Sequence, residues 1–310
     1  MPCRGVDSLR LASDMDLLLL GGSGQLGTEL QRVPLEADVQ IVAPTREQFD
    51  ITSDGDIGKW LAARRWNVVI NAAAYTAVDR AEAEEEIALA MNARAPSRLA
   101  AQANRYGIPL IQVSTDYVFD GRKGRPYLPD DAISPINVYG TSKALGERAV
   151  RTNNPRHVIL RTSWLYSPFR KNFMKTMLRI GARRDGLKVV DDQWGCPTAA
   201  HDLAEVCAAI ARRVSLNPDG VPYGTYHVAG YGGTTWCGFA RAIFDLARPR
   251  LRKVPLVDGI ATADYPTPAK RPIDSRLDCT SSSNQWGFVM RDWRIALEDT
   301  LARYLAEEPA

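Results

Sequence analysis

Tyr139-Gly-Thr-Ser-Lys143 sets a phenol and an ammonium four residues apart. On a helix, positions i and i+4 share a face, so both side chains address one site. A free phenol titrates at about 10 and donates its proton sluggishly. A neighbouring cation lowers that value, so the pair suits protonation of an oxygen as a ketone becomes an alcohol. Lys143 can also hold a nicotinamide ribose. Upstream, Ser114-Thr115-Asp116 closes the apolar run Leu110–Val113 with two hydroxyls and a carboxylate, groups that fix a carbonyl. Taken alone, Tyr-x-x-x-Lys also arises as an unrelated surface pair.

Hydride chemistry needs a carrier, and Gly21-Gly-Ser-Gly-Gln-Leu-Gly27 is built to hold one. Gly22, Gly24 and Gly27 satisfy G-x-G-x-x-G directly after an apolar run and before a helical pattern. Residues without a Cβ let backbone N–H groups approach a pyrophosphate, and a helix starting at Gln25 points its positive end there. The alternative is a tight turn with no ligand. After the second strand comes Ala43-Pro-Thr-Arg46, with no acid to hold an NAD ribose. Arg46 therefore tilts the cofactor towards NADPH, with NADH possible, unless it is only a solvated surface arginine. Asp50 and Ile51 suit the adenine edge, although Asp50 serves equally as a turn residue. Ala72, Ala73 and Ala74 suit backbone passing beside a cofactor, or close helix packing.

These groups need a scaffold. Leu17–Leu20, Val39–Ala43, Val68–Ile70, Leu110–Val113 and Val158–Leu160 read as strands. Helical patterns separate them: from Leu26, over Ile57–Arg65, over Glu84–Tyr106 with Gly107 as its cap, and around Lys143–Arg151. Alternating βα units predict a doubly wound parallel sheet, a Rossmann-type α/β fold with a smaller C-terminal substrate-binding domain. The expected division is 15–165 for the dinucleotide-binding part, completed by parts of 199–230, with 166–198 and 231–310 for substrate. There, helices are expected over Asn172–Arg184, His201–Val214, Trp236–Leu246 and Trp293–Glu307, and strands over Leu187–Val190 and Tyr226–Ala229. Tyr265-Pro-Thr-Pro-Ala-Lys-Arg-Pro272 is too proline-rich for regular structure and reads as a functional loop.

The 310 residues carry 39 Lys plus Arg against 36 Asp plus Glu, a net charge of +3, which gives no electrostatic case for nucleic acid or a membrane surface. Leu17–Leu20 falls far short of the roughly 18 apolar residues of a membrane span. Five dispersed cysteines (Cys3, Cys196, Cys207, Cys237, Cys279) without a Cys-x-x-Cys pair read as reduced cytosolic thiols, and no metal site is expected. His157, His201 and His227 read as structural. Met1–Asp14 lacks the apolar core of a secretory signal, so the folded part is expected to start near Met15 in a cytoplasmic protein.

Together these blocks resemble the extended short-chain dehydrogenase/reductases and, within them, the dTDP-4-dehydrorhamnose reductase family. Gly21–Gly27, Asn71–Asp79, Ser114–Phe119 and Asn137–Lys143 carry the wider likeness. Arg161–Trp164, Asn172–Leu178 and Pro266–Pro272 with Ser275–Leu277 narrow it. The resemblance implies NAD(P)H-dependent reduction of the C4 ketone of a dTDP-6-deoxy-4-keto-L-sugar to dTDP-L-rhamnose. Carried over, it implies Tyr139 as proton donor, Lys143 as its electrostatic partner, and Thr115 orienting the ketone oxygen. It further implies Asp116 on sugar hydroxyls and Trp164 packed on the sugar. Gly24, Gln25 and Leu26 would line the pyrophosphate. Lys270 and Arg271 would neutralise the substrate diphosphate, where composition alone reads them as solvated charges; Trp164 likewise reads by default as core. Some members dimerise through metal-bridging glutamates. Glu29 matches one such position, but His201 falls near where another glutamate is expected, so no metal-linked dimer is predicted and the expectation is a monomer or homodimer. The competing readings are a nucleotide-sugar epimerase or dehydratase of the same superfamily, and a non-catalytic NADP-binding regulatory subunit.

Overall fold

A computed structural model describes residues 15–36 and 38–307. Cys3 and the expectations for Met1–Asp14 lie outside that range. Its centre is a six-stranded sheet ordered Gly224–His227, β5 (His157–Thr162), β4 (Leu110–Thr115), β3 (Val68–Asn71), β1 (Met15–Leu20), β2 (Val39–Val42). Every pairing is parallel, with Leu17 opposite Val68 and Thr115 opposite Thr162. Strand periodicity sorts the side chains. Leu17 and Leu19 face the layer built on the helix Ala200–Leu216, whereas Leu18 and Leu20 face Leu61, Leu99 and Ala103. Burial on both faces explains why these strands read as unbroken apolar runs. The chain order reverses between β1 and β3, which opens a crevice at the carboxyl ends of the strands.

Tertiary contacts alter several elements. Glu84–Tyr106 reads as one helix but is interrupted: Glu85–Leu89 and Ala95–Arg105 are α-helical, and Ala90–Arg94 between them forms a π-helical turn. At this turn the helix Val138–Asn153 lies so close that a Cβ on Gly146 would sit 2.0 Å from Asn92 O. Buried Asn92 joins three elements: its Nδ2 donates to Tyr75 O (2.9 Å) and Ser142 Oγ (3.0 Å), and its Oδ1 accepts from Tyr75 N (2.9 Å). The expected helix Asn172–Arg184 shortens to Phe173–Gly181, with Asn172 as its N-cap accepting from Lys175 N. The expected strand Tyr226–Ala229 shifts to Gly224–His227, the register that pairs it with β5.

The remaining chain forms two-stranded pairs; the expected strand Leu187–Val190 is there, as Gly186–Val190, while periodicity left its partner and the other pairs hidden. Gly186–Val190 pairs with Leu256–Ile260, Leu165–Tyr166 with Thr198–Ala199, and Trp194–Gly195 with Thr234–Thr235. Tyr166, Met174, Phe239, Trp293 and Leu297 form a separate core beneath them. No described helix is long and apolar enough to cross a membrane.

Candidate active site

At the carboxyl edge of the sheet a cavity of about 730 Å³ runs from the glycine turn to the Tyr139 helix. Ser23, Gly24, Gln25, Ala72, Ala74, Thr115, Asp116, Tyr139, Lys143 and Trp164 line it. A second cavity of about 220 Å³ beside the turn is lined by Arg46, Asp50, Ile51 and Ala72–Ala74.

The turn is as tight as a dinucleotide cradle requires. Gly21 has φ +83°, and a Cβ there would lie 2.6 Å from Ala73 N. At Gly27 a Cβ would meet Gly21 O at 2.2 Å, so glycine alone lets the following helix pack on the strand. Ser23 and Gly24 are left exposed at the cavity mouth. Backbone with no Cβ, facing small alanines across a long cleft, fits an extended dinucleotide.

The helix Val138–Asn153 places the reactive pair. Asn137 caps it, accepting from Gly140 N at 2.7 Å and donating Nδ2 to Lys270 O at 2.8 Å. Gly140 sits where a Cβ would be 2.1 Å from Tyr117 O, so the first helical turn presses against the end of β4. Tyr139 consequently shares a hydrogen bond with Thr115, and its ring meets Tyr117 edge-on at 5.9 Å. Thr115 Oγ1 donates to Asp116 Oδ1 (3.1 Å) and Ser275 Oγ to Asp116 Oδ2 (2.5 Å). Lys143 Nζ donates to Val113 O at 2.7 Å.

Electrostatics correct one expectation. The Tyr139 phenol is pushed up to about 12, by burial first; the Thr115 bond opposes the shift and the Asp116 charge adds to it. Lys143 is brought down to about 8 by burial, with Glu147 pulling the other way. The acidifying effect expected of Lys143 is absent: its ammonium is turned onto a carbonyl and is not among the groups that shift the phenol. The phenol keeps its proton across the neutral range and is a donor in waiting. Burial also raises Asp116 to about 7 against its two hydroxyl donors.

Other expected residues fare differently. Trp164 lines the cavity in a left-handed backbone conformation (φ 46°), held between Gly195 and the ring of Trp236, which stacks on it at 3.5 Å. Asp50 lines the smaller cavity, but its Oδ1 already accepts from Thr52 N (2.9 Å) and Oγ1 (2.7 Å), as in a turn. Lys270 and Arg271 are not among the cavity-lining residues. Arg271 donates to Asp79 Oδ2 at 2.8 Å and to Thr267 Oγ1 at 2.7 Å, so its charge is already matched within the fold. Glu29 is fully buried and accepts from Arg303 at 2.8 Å.

Several residues escaped sequence reasoning. Trp236, Arg170 and Lys171 line the cavity. Gln25 Oε1 accepts from Ser167 Oγ (3.1 Å) and Asn172 Nδ2 (3.0 Å). Glu147, one turn beyond Lys143, is buried against Arg161 of β5. The i+4 spacing from Lys143 is the one local signal that pointed to Glu147; the others meet the site only through the fold.

The sequence profile of the RmlD substrate binding domain family matches residues 15–306. The dTDP-4-dehydrorhamnose reductase of Aggregatibacter actinomycetemcomitans is 44% identical over 289 residues, 92% of this chain and 98% of that one. Two solved structures carrying the same name superpose closely. The Clostridium acetobutylicum protein gives a TM-score of 0.85 at 37% identity, over 93% of this chain and 99% of that one. The Bacillus anthracis protein, solved in complex with NADP, gives 0.86 at 33%, over 94% and 99%.

Proposed function

The chain belongs to the dTDP-4-dehydrorhamnose reductase family, and from that premise we propose that it reduces the C4 ketone of dTDP-4-dehydro-6-deoxy-L-mannose to give dTDP-L-rhamnose, with NADPH as reductant. The observation that carries this reading is the convergence of Tyr139, Thr115 and Lys143 in one cleft that continues to the glycine turn. A binding-only protein has no use for a protonated phenol bonded to a hydroxyl.

NADPH, when bound, supplies the hydride to the carbonyl carbon. The chain supplies the rest. Gly21–Gly27 and Ala72–Ala74 hold the dinucleotide, with Gln25 and Leu26 beside its pyrophosphate and Asp50 and Ile51 beside its adenine. Tyr139 gives its hydroxyl proton to the ketone oxygen as negative charge develops there, and the bond to Thr115 keeps the phenol aimed. Lys143 places positive charge beneath the site, and leaving Val113 O for the ribose costs it one neutral acceptor. Asp116 receives sugar hydroxyls, and Trp164, braced by Trp236, adds apolar surface at the sugar's end of the cleft.

Supplying the keto-sugar with NADPH tests this directly. Stoichiometric loss of the reduced-nicotinamide absorbance, with a rhamnose product, is the expected result. Turnover without net oxidation would assign the chain to the epimerases. The cofactor preference has its own test. Arg46→Ala is expected to raise KM for NADPH more than for NADH, because only NADPH carries the 2′-phosphate. Equal effects on both would remove Arg46 from that role.

A further inference from the structure

The segment from Leu165 to Asn172 lies across the glycine turn and is tied to it at several points. Besides the two bonds to Gln25 Oε1, Gln25 Nε2 donates to Leu165 O (3.4 Å), and Arg170 Nε donates to Ser23 O (2.6 Å). Arg170 has φ +59°, a conformation that side chains with a Cβ rarely adopt, and it turns the guanidinium back over the turn. Arg170 and Lys171 line the same cavity as Ser23, Gly24 and Tyr139. By contrast, Arg80, Arg94 and Arg98 are each paired with a carboxylate. The hydrogen bond to Ser23 O is the polar contact that Arg170 makes among the described residues.

We propose that Arg170 is a cofactor-binding residue: anchored at Ser23 through Nε, it offers its terminal N–H groups to the dinucleotide pyrophosphate. This rests on the reading above, in which the glycine turn receives that pyrophosphate. The turn itself contributes no side-chain cation, and Gly24 N already donates to Gly21 O at 3.0 Å. From the turn, a doubly negative diphosphate there meets only the partial positive charge of a helix N-terminus, and a planar guanidinium with free N–H groups matches its oxygens. The substrate also carries a diphosphate, but the anchor at Ser23 ties Arg170 to the cofactor's side of the cleft. A residue from the segment following Trp164 would then make cofactor affinity depend on the part of the chain that receives the sugar.

Titrating NADPH and NADH against wild type and Arg170→Ala, Arg170→Gln and Arg170→Lys, at low salt, tests the assignment. Ala and Gln are expected to weaken both dinucleotides by about tenfold and by the same factor, since both share the pyrophosphate, whereas Lys, a point charge without the planar fork, is expected to recover only part of that loss. Thymidine diphosphate, titrated alone, is expected to bind all variants within about twofold of wild type. The loss is expected to shrink as salt screens the exposed charge. The Gln variant can still donate to Ser23 O, so Gln binding like wild type while Ala weakens would reduce Arg170 to an anchor and overturn the proposal. Loss confined to thymidine diphosphate would move the guanidinium to the substrate, and unchanged NADPH binding in all variants would likewise overturn it. Wild type that binds neither dinucleotide would instead overturn the functional reading beneath it.

Discussion

Tyr139→Phe is expected to lower kcat by about 10²–10⁴, the usual scale for a missing general acid, while NADPH still binds. The substitution removes one hydroxyl and leaves the ring, its edge-on contact with Tyr117 and the helix cap at Asn137 in place. Burial holds the phenol at about 12, so wild type carries the donor proton through the neutral range. Titration of Tyr139 therefore does not limit activity near neutrality. On the alkaline side Lys143, at about 8, does: its charge is present below that value and is lost as pH rises through it. The rate is expected to fall on the alkaline side accordingly. A Phe variant turning over within about tenfold of wild type would transfer the proton to another donor and end the assignment.

The second large effect concerns stability. Arg161 donates Nε to Glu147 Oε1 (2.9 Å) and a terminal N–H to Oε2 (2.7 Å), and both side chains are almost wholly buried. Ser114 Oγ (2.6 Å) and Arg151 (3.1 Å) complete the carboxylate's partners. Burial works against the ionised Glu147, yet Arg161 and the other donors hold its carboxyl below the ordinary range. Arg161→Met strips the main counter-charge and is expected to cost about 3–5 kcal/mol, read by urea unfolding. Glu147→Leu with Arg161→Met removes both charges together and is expected to recover much of that loss. A single substitution costing under about 1 kcal/mol, or a double one costing the sum of both, would show that the pair carries no buried coupling. The pair also bears on catalysis. Glu147 is the one charge that lifts Lys143, so Glu147→Gln is expected to shift the alkaline fall in rate to lower pH.

Local chemistry made much of this protein readable from its residues alone. The unbroken apolar run of Leu17–Leu20, the glycines of the first turn and the four-residue spacing of Tyr139 and Lys143 are short-range facts, and they made the parallel α/β fold and the candidate reactive pair legible. What the fold decided depends on residues distant in sequence. The π-helical turn at Ala90–Arg94 accompanies Gly146 pressing on Asn92, and the withdrawal of Arg271 depends on Asp79. Arg170 reaches Ser23 across 147 positions of chain. The raised phenol belongs here too: spacing puts a cation four residues from Tyr139, but packing turns that cation onto Val113 O and excludes water from the phenol, and desolvation sets the shift. Sequence spacing sets which groups can meet, whereas burial, a property of the whole folded chain, sets how strongly they act on each other.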